Sequence, residues 1–161
     1  MGPVARRPVA WVAAIVLLAE AAGIVLLNWI LGLVVDRQDM SLAGLDPDAM
    51  SVGAWAAGAV FGLYLAVCAF LLARAAATDR SPGVVGRIVL ISAAVVHGLL
   101  GAFTVGLVGW PAFVFMMVVL ALIVFSLVSF DRRDQGRAAG GDDSAAAPPP
   151  PPASAPEPTT P

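Results

Sequence analysis

Apolar residues along this chain fall in four long blocks separated by short polar or turn-forming stretches. The blocks cover about residues 9–35, 52–77, 88–108 and 111–130. Each reaches the roughly 20 residues that a helix rising about 1.5 Å per residue needs to cross a hydrocarbon core about 30 Å thick. Backbone in hydrocarbon must satisfy its own hydrogen bonds, so blocks of this length predict helices. The pattern thus predicts an all-α fold, a bundle of four transmembrane helices. Only Gly109-Trp110 separates the last two blocks, and Pro111 suits a first helical turn. A tight antiparallel hairpin follows, with Trp110 as an interfacial anchor.

The first block follows Arg6-Arg7 and contains Ala19-Glu20-Ala21, features shared with cleavable leaders. Its apolar run continues through Ile24 to Val35, well past the roughly 7–15 residues of a leader's apolar region, which predicts a retained span. From Asp131 the pattern stops. Residues 131–161 hold eight of the 13 prolines, five of them consecutive from Pro148 to Pro152. Such a segment cannot bury enough apolar surface to offset its ordering entropy, and its proline run favours polyproline II. The expected organisation is a membrane domain over 1–130 and a disordered cytoplasmic tail over 131–161, with a docking site for a proline-reading domain as the alternative reading of the tail.

Composition sharpens this picture. The chain is 60% hydrophobic and 12% charged over 161 residues, against about 25% charged in ordinary soluble domains, which excludes a soluble globular enzyme. All nine basic residues are arginine, and alanine, valine, glycine and proline dominate. This is the usage of a GC-rich bacterial genome. With its N-terminus inside, the protein would keep Arg6, Arg7, Arg74, Arg80, Arg87, Arg132, Arg133 and Arg137 inside and only Arg37 outside. That bias predicts a bacterial plasma-membrane protein with both termini cytoplasmic. The outer loop, Asp36 to Ser51, is acidic; Asp46-Pro47-Asp48 lacks the alternating ligands and glycine of a calcium loop and reads as a solvated turn.

Chemistry is sparse. One cysteine, Cys68, allows no intramolecular disulfide, no Cys/His cluster has zinc-site spacing, and no basic patch suits nucleic acid. A single histidine excludes bis-histidine haem ligation within one chain. No nucleophile with a base and an orienting partner can be assembled, and no phosphate-cradling loop is present. Neither an enzyme nor a cofactor is therefore expected.

Helix association in lipid depends on close backbone approach through small residues. The second block carries Ala54, Gly58, Gly62 and Ala66, and the third carries Ala94, Gly98, Ala102 and Gly106. Matched stripes predict that these two helices pack on each other, with a homo-oligomer or a membrane-protein partner through either stripe as the alternative. The fourth block, bulky with Phe113, Phe115, Met116, Met117, Leu120 and Phe125, should face lipid over much of its surface.

Three polar side chains interrupt the hydrocarbon pattern: Glu20 and Asn28 in the first block and His97 in the third. An ionised acid at mid-membrane costs about 2.5–3.5 kcal/mol on insertion scales, so Glu20 should turn inward and be paired or protonated. Glu20 lies 13 residues past Arg7 and His97 ten past Arg87, so on parallel helices their depths differ by about 4–5 Å. They can meet near the midplane and share a proton. Asn28, about 12 Å farther along its helix, reads as an interhelical hydrogen-bond former. Ser92, Thr104, Ser126 and Ser129 can bond back to helical carbonyls.

The run Val16-Leu17-Leu18-Ala19-Glu20-Ala21-Ala22-Gly23 resembles the first helix of the small multidrug resistance exporters, four-span proteins with a membrane-embedded glutamate. That resemblance implies a proton and substrate site at Glu20 in an antiparallel dimer. The third block lacks the tryptophan and glycine pattern of those exporters, and the arginine bias predicts one orientation rather than two. Taken whole, the chain is similar to small four-span membrane proteins of high-GC Gram-positive bacteria, through Arg6-Arg7, Asp46-Pro47-Asp48, Val95-Val96-His97-Gly98 and the proline-rich end. This second resemblance implies no reaction. The expected function is that of a non-enzymatic accessory or interaction protein, with a proton-coupled permease using Glu20 as the alternative.

Overall fold

A computed structural model describes residues 6–38, 44 and 46–145. Four helices follow in order: α1 (Arg6–Gln38), α2 (Pro47–Thr78), α3 (Gly83–Leu107) and α4 (Trp110–Ala145). Each contains a segment long and apolar enough to cross a bilayer, and together they form an antiparallel transmembrane bundle. Leu26, Leu63, Phe70, Leu99, Phe103 and Val118 point outward, as a lipid-facing surface requires.

The helices outrun the apolar blocks because hydropathy marks only the hydrocarbon-spanning part. At the start of α2, Asp46 accepts a hydrogen bond from the Asp48 amide at 2.9 Å and Pro47 occupies the first turn, so the Asp46-Pro47-Asp48 turn is a helix cap. At its end Asp79 adopts the left-handed conformation, φ 52°, and Arg7 Nε donates to the Ala76 carbonyl at 3.0 Å. The α3–α4 hairpin closes through the Gly109 amide, which donates to the Thr104 carbonyl at 2.8 Å while Gly109 takes φ 113°, a conformation open to glycine. Trp110 beside it is exposed and meets Phe113 edge to face, centroids 5.8 Å apart. α4 continues past Phe130 to Ala145, into the segment expected to be disordered; Arg132, Gln135, Arg137, Ala138 and Ala139 are residues with good helix propensity. The proline run at 148–152 lies outside the described residues.

The packing differs from the expectation that α2 and α3 associate through their small-residue stripes. α1 packs along α2, α3 packs along α4, and α2 and α3 touch only sparsely. Gly58 and Gly62 are buried against α1: a Cβ on Gly58 would lie 2.5 Å from Asn28 Cβ, and one on Gly62 would collide with Val25. On α3 the buried line is Gly86, Leu90, Ala93, His97 and Gly101. Ala102 and Gly106 are exposed, and Ala94 and Gly98 are half-buried. The stripe and the buried face of α3 are offset by one position, which at 100° per residue turns much of the stripe toward lipid. The small residues that the expectation overlooked are on α1, where Ala10, Ala13, Ala14 and Ala21 join Leu17 in the core. Ala13, Ala14, Leu17 and Ala21 share the main cluster with Leu65, Cys68, Ala69 and Leu72 of α2, and Leu90, Ala93, Val119 and Ile123 complete it. Ala10, Ala75, Ala76 and Phe130 form a second cluster at the arginine-bearing end.

Candidate functional site

Glu20 and His97 meet inside this core. His97 sits on the buried line of α3, and Glu20 projects from α1 one position before Ala21, so both turn into the bundle. Glu20 Oε2 and His97 Nε2 are 3.1 Å apart, with side chains 9% and 3% exposed. His97 Nδ1 lies 2.7 Å from the Ala93 carbonyl. A carbonyl can only accept, so Nδ1 carries a hydrogen and donates it; the tautomer is thereby assigned by its partner. The contact between Nε2 and Oε2 then needs a proton of its own. It is on nitrogen, as imidazolium with carboxylate, or on oxygen, as neutral imidazole with carboxylic acid. Both arrangements are neutral overall, which removes most of the cost of an acid at this depth.

The second carboxyl oxygen differs. Glu20 Oε1 is buried and has no hydrogen-bond partner. Glu20 and His97 both line a cavity of about 500 Å3 whose other walls are apolar, including Ile24, Phe61, Leu65, Phe115 and Met116. A buried oxygen without a partner is an uncompensated polar group, so an apolar-walled cavity lies beside a proton-bearing pair that keeps one unsatisfied acceptor.

Asn28 is not part of this centre. Its Nδ2 donates to the Ile24 carbonyl in its own helix at 2.9 Å, and its side chain packs on Gly58. Nearby, Trp55 Nε1 donates to the Trp29 carbonyl at 3.2 Å, and the two indole rings are 5.9 Å apart, joining α1 to α2 on the Asn28 side of the bundle, away from Arg7. Ser92, Thr104 and Ser126 bond to carbonyls three or four residues back. Tyr64 was not among the sequence-derived candidates. Its hydroxyl is 2.7 Å from Ser92 Oγ and donates to the Val89 carbonyl at 3.4 Å, linking α2 to α3. It is the chain's single tyrosine, placed within an apolar block, and a phenol within hydrocarbon needs a hydrogen-bond partner; that was its available signal. Among the described residues, no three His, Cys, Asp or Glu side chains converge as a metal site would require.

Compared with known proteins, the chain matches no family, no curated protein and no solved structure.

Proposed function

We propose that this chain is a non-enzymatic accessory or interaction protein of the bacterial plasma membrane, with both termini cytoplasmic, whose Glu20–His97 pair locks the bundle. The observation that carries this reading is the position of the pair. It joins α1 to α3, which lie across the diagonal of the bundle, whereas backbone packing is most extensive between α1 and α2 and between α3 and α4, and the two hairpins meet mainly along α1 and α4. A polar latch between two hairpins fixes their relative register where apolar packing in lipid supplies little direction. Glu20→Gln and Glu20→Leu, purified and reconstituted into proteoliposomes, test it. Under this reading both insert, Glu20→Leu melts at lower temperature, and neither the natural chain nor the variants carry a pH-driven substrate flux.

One observation favours a second reading, a small proton-coupled permease. Glu20 Oε1 is buried without a partner beside a cavity large enough for a small molecule. Under that reading the natural chain dissipates a pH gradient in the presence of its substrate. Glu20→Gln abolishes this flux while remaining folded.

A further inference from the structure

The sparse contact between α2 and α3 leaves a crevice at the arginine-bearing end of the bundle. It has a volume of about 490 Å3, with Val67, Phe70 and Leu71 on the α2 side, Val85 and Val89 on the α3 side, and Arg74 and Arg80 at its mouth. Toward the midplane it ends where the Tyr64 hydroxyl meets Ser92 and the Val89 carbonyl. At the other end the chain turns through Asp79–Pro82. From Tyr64 to Arg74 is ten residues, so the crevice extends about 15 Å into the apolar layer. Its walls are open to the surroundings, with Phe70 62% and Val85 75% exposed.

The arginines at this end are not equivalent. Arg7 is engaged by the Ala76 carbonyl and Arg87 by Asp131. Among the described residues, Arg74 and Arg80 have no ion-pair partner and no acidic side chain lines the crevice. We infer that this crevice binds one anionic phospholipid, with its phosphate held between Arg74 and Arg80 and an acyl chain lying along Val67, Phe70 and Val89. Charge complementarity selects the headgroup, because unpaired guanidiniums between transmembrane helices at the headgroup level match a phosphate. The apolar depth beneath them selects a lipid over a soluble anion. A soluble anion would leave that depth unfilled.

Native mass spectrometry of the full chain, released from nanodiscs of phosphatidylcholine with or without phosphatidylglycerol, tests the assignment. One phosphatidylglycerol should remain bound to the natural chain and phosphatidylcholine should not. At about fivefold per arginine, Arg74→Gln with Arg80→Gln should weaken retention about 25-fold. Arg87→Gln, which removes the same type of charge from the same end but outside the crevice, should leave retention unchanged. Val67→Trp, which fills the crevice without altering charge, should weaken it. Arg74 and Arg80 are exposed, so their variants should keep the fold, checked by circular dichroism. A photoactivatable phosphatidylglycerol should, independently of any variant, cross-link to α2 between Val67 and Arg74 in the natural chain. Equal loss in Arg87→Gln would reduce the effect to general charge attraction and overturn the site. Displacement of the lipid by inorganic phosphate alone would overturn it in favour of a soluble anion.

Discussion

His97 Nε2 lies 3.1 Å from Glu20 Oε2 while its Nδ1 lies 2.7 Å from the Ala93 carbonyl, so the two residues together hold one proton more than the carbonyl contact accounts for. The position of that proton is measurable. In nitrogen-15 spectra of the natural chain, His97 Nδ1 should be protonated, and infrared difference spectra against Glu20→Gln should assign the carboxyl band as acid or carboxylate. An unprotonated Nδ1 would remove the basis for a neutral pair.

The same geometry orders the variants by stability. In Glu20→Gln the amide can donate to Nε2, so the bridge survives and the loss should stay below about 1 kcal/mol. In His97→Leu the buried carboxyl loses its one partner. That loss should reach about 1–3 kcal/mol, the penalty for an unsatisfied buried group. Reversible unfolding in mild detergent compares them, and equal effects from both would mean that the bridge does not form.

The four spans and the polar centre were legible for different reasons. Spans follow from block length, because hydrocarbon tolerates only satisfied backbone. The meeting of Glu20 and His97 followed from counting residues to a shared boundary set by Arg7 and Arg87. Helix partnership was not legible in the same way. The stripe on α3 and its buried line differ by one position, and a shift of that size cannot be resolved when alanine and glycine are common on every face. Ala10, Ala13 and Ala14 on α1 were equally small but lay among other alanines, so they did not stand out. The continuation of α4 was hidden because the charges after Phe130 mark the end of the hydrocarbon layer, which is not the end of the helix.

Cys68 provides a separate test of the core. Its side chain is fully buried in the main cluster, so a maleimide should leave it unmodified in the folded protein and modify it after denaturation. This makes Cys68→Ala a suitable background for single cysteines. In that background a cysteine at Gly44 should react with an impermeant reagent from outside the cell and one at Arg80 only after permeabilisation. Reaction at Arg80 in intact cells would reverse the proposed orientation.

The Arg87–Asp131 pair ties the start of α3 to α4 and invites over-reading. Arg87 is 53% exposed and Asp131 29%, so water and salt screen the attraction. Arg87→Gln should change stability by less than about 1 kcal/mol, with an effect that shrinks as salt rises.

Glycine substitutions separate the observed packing from the expected one. A methyl group on Gly62 would collide with Val25 and come within 3.3 Å of the Ala21 carbonyl, whereas one on Gly106 would meet nothing within 4 Å. Replacing helical glycine by alanine favours the helix by up to about 1 kcal/mol. At Gly106 that gain is unopposed, so Gly106→Ala should be neutral or stabilising. At Gly62 the gain competes with separation of α1 from α2, and overpacking of this kind costs about 1–3 kcal/mol. Gly62→Ala should therefore destabilise, and Gly62→Leu should do so more strongly. Gly98→Ala falls between them, because its new carbon would rest 3.4 Å from Leu120 Cδ1, the end of a flexible side chain. Thermal denaturation of the three alanine variants should rank Gly62 below Gly98 and Gly98 at or below Gly106. If α2 and α3 instead met along their stripes, Gly106 and Gly62 would fall together.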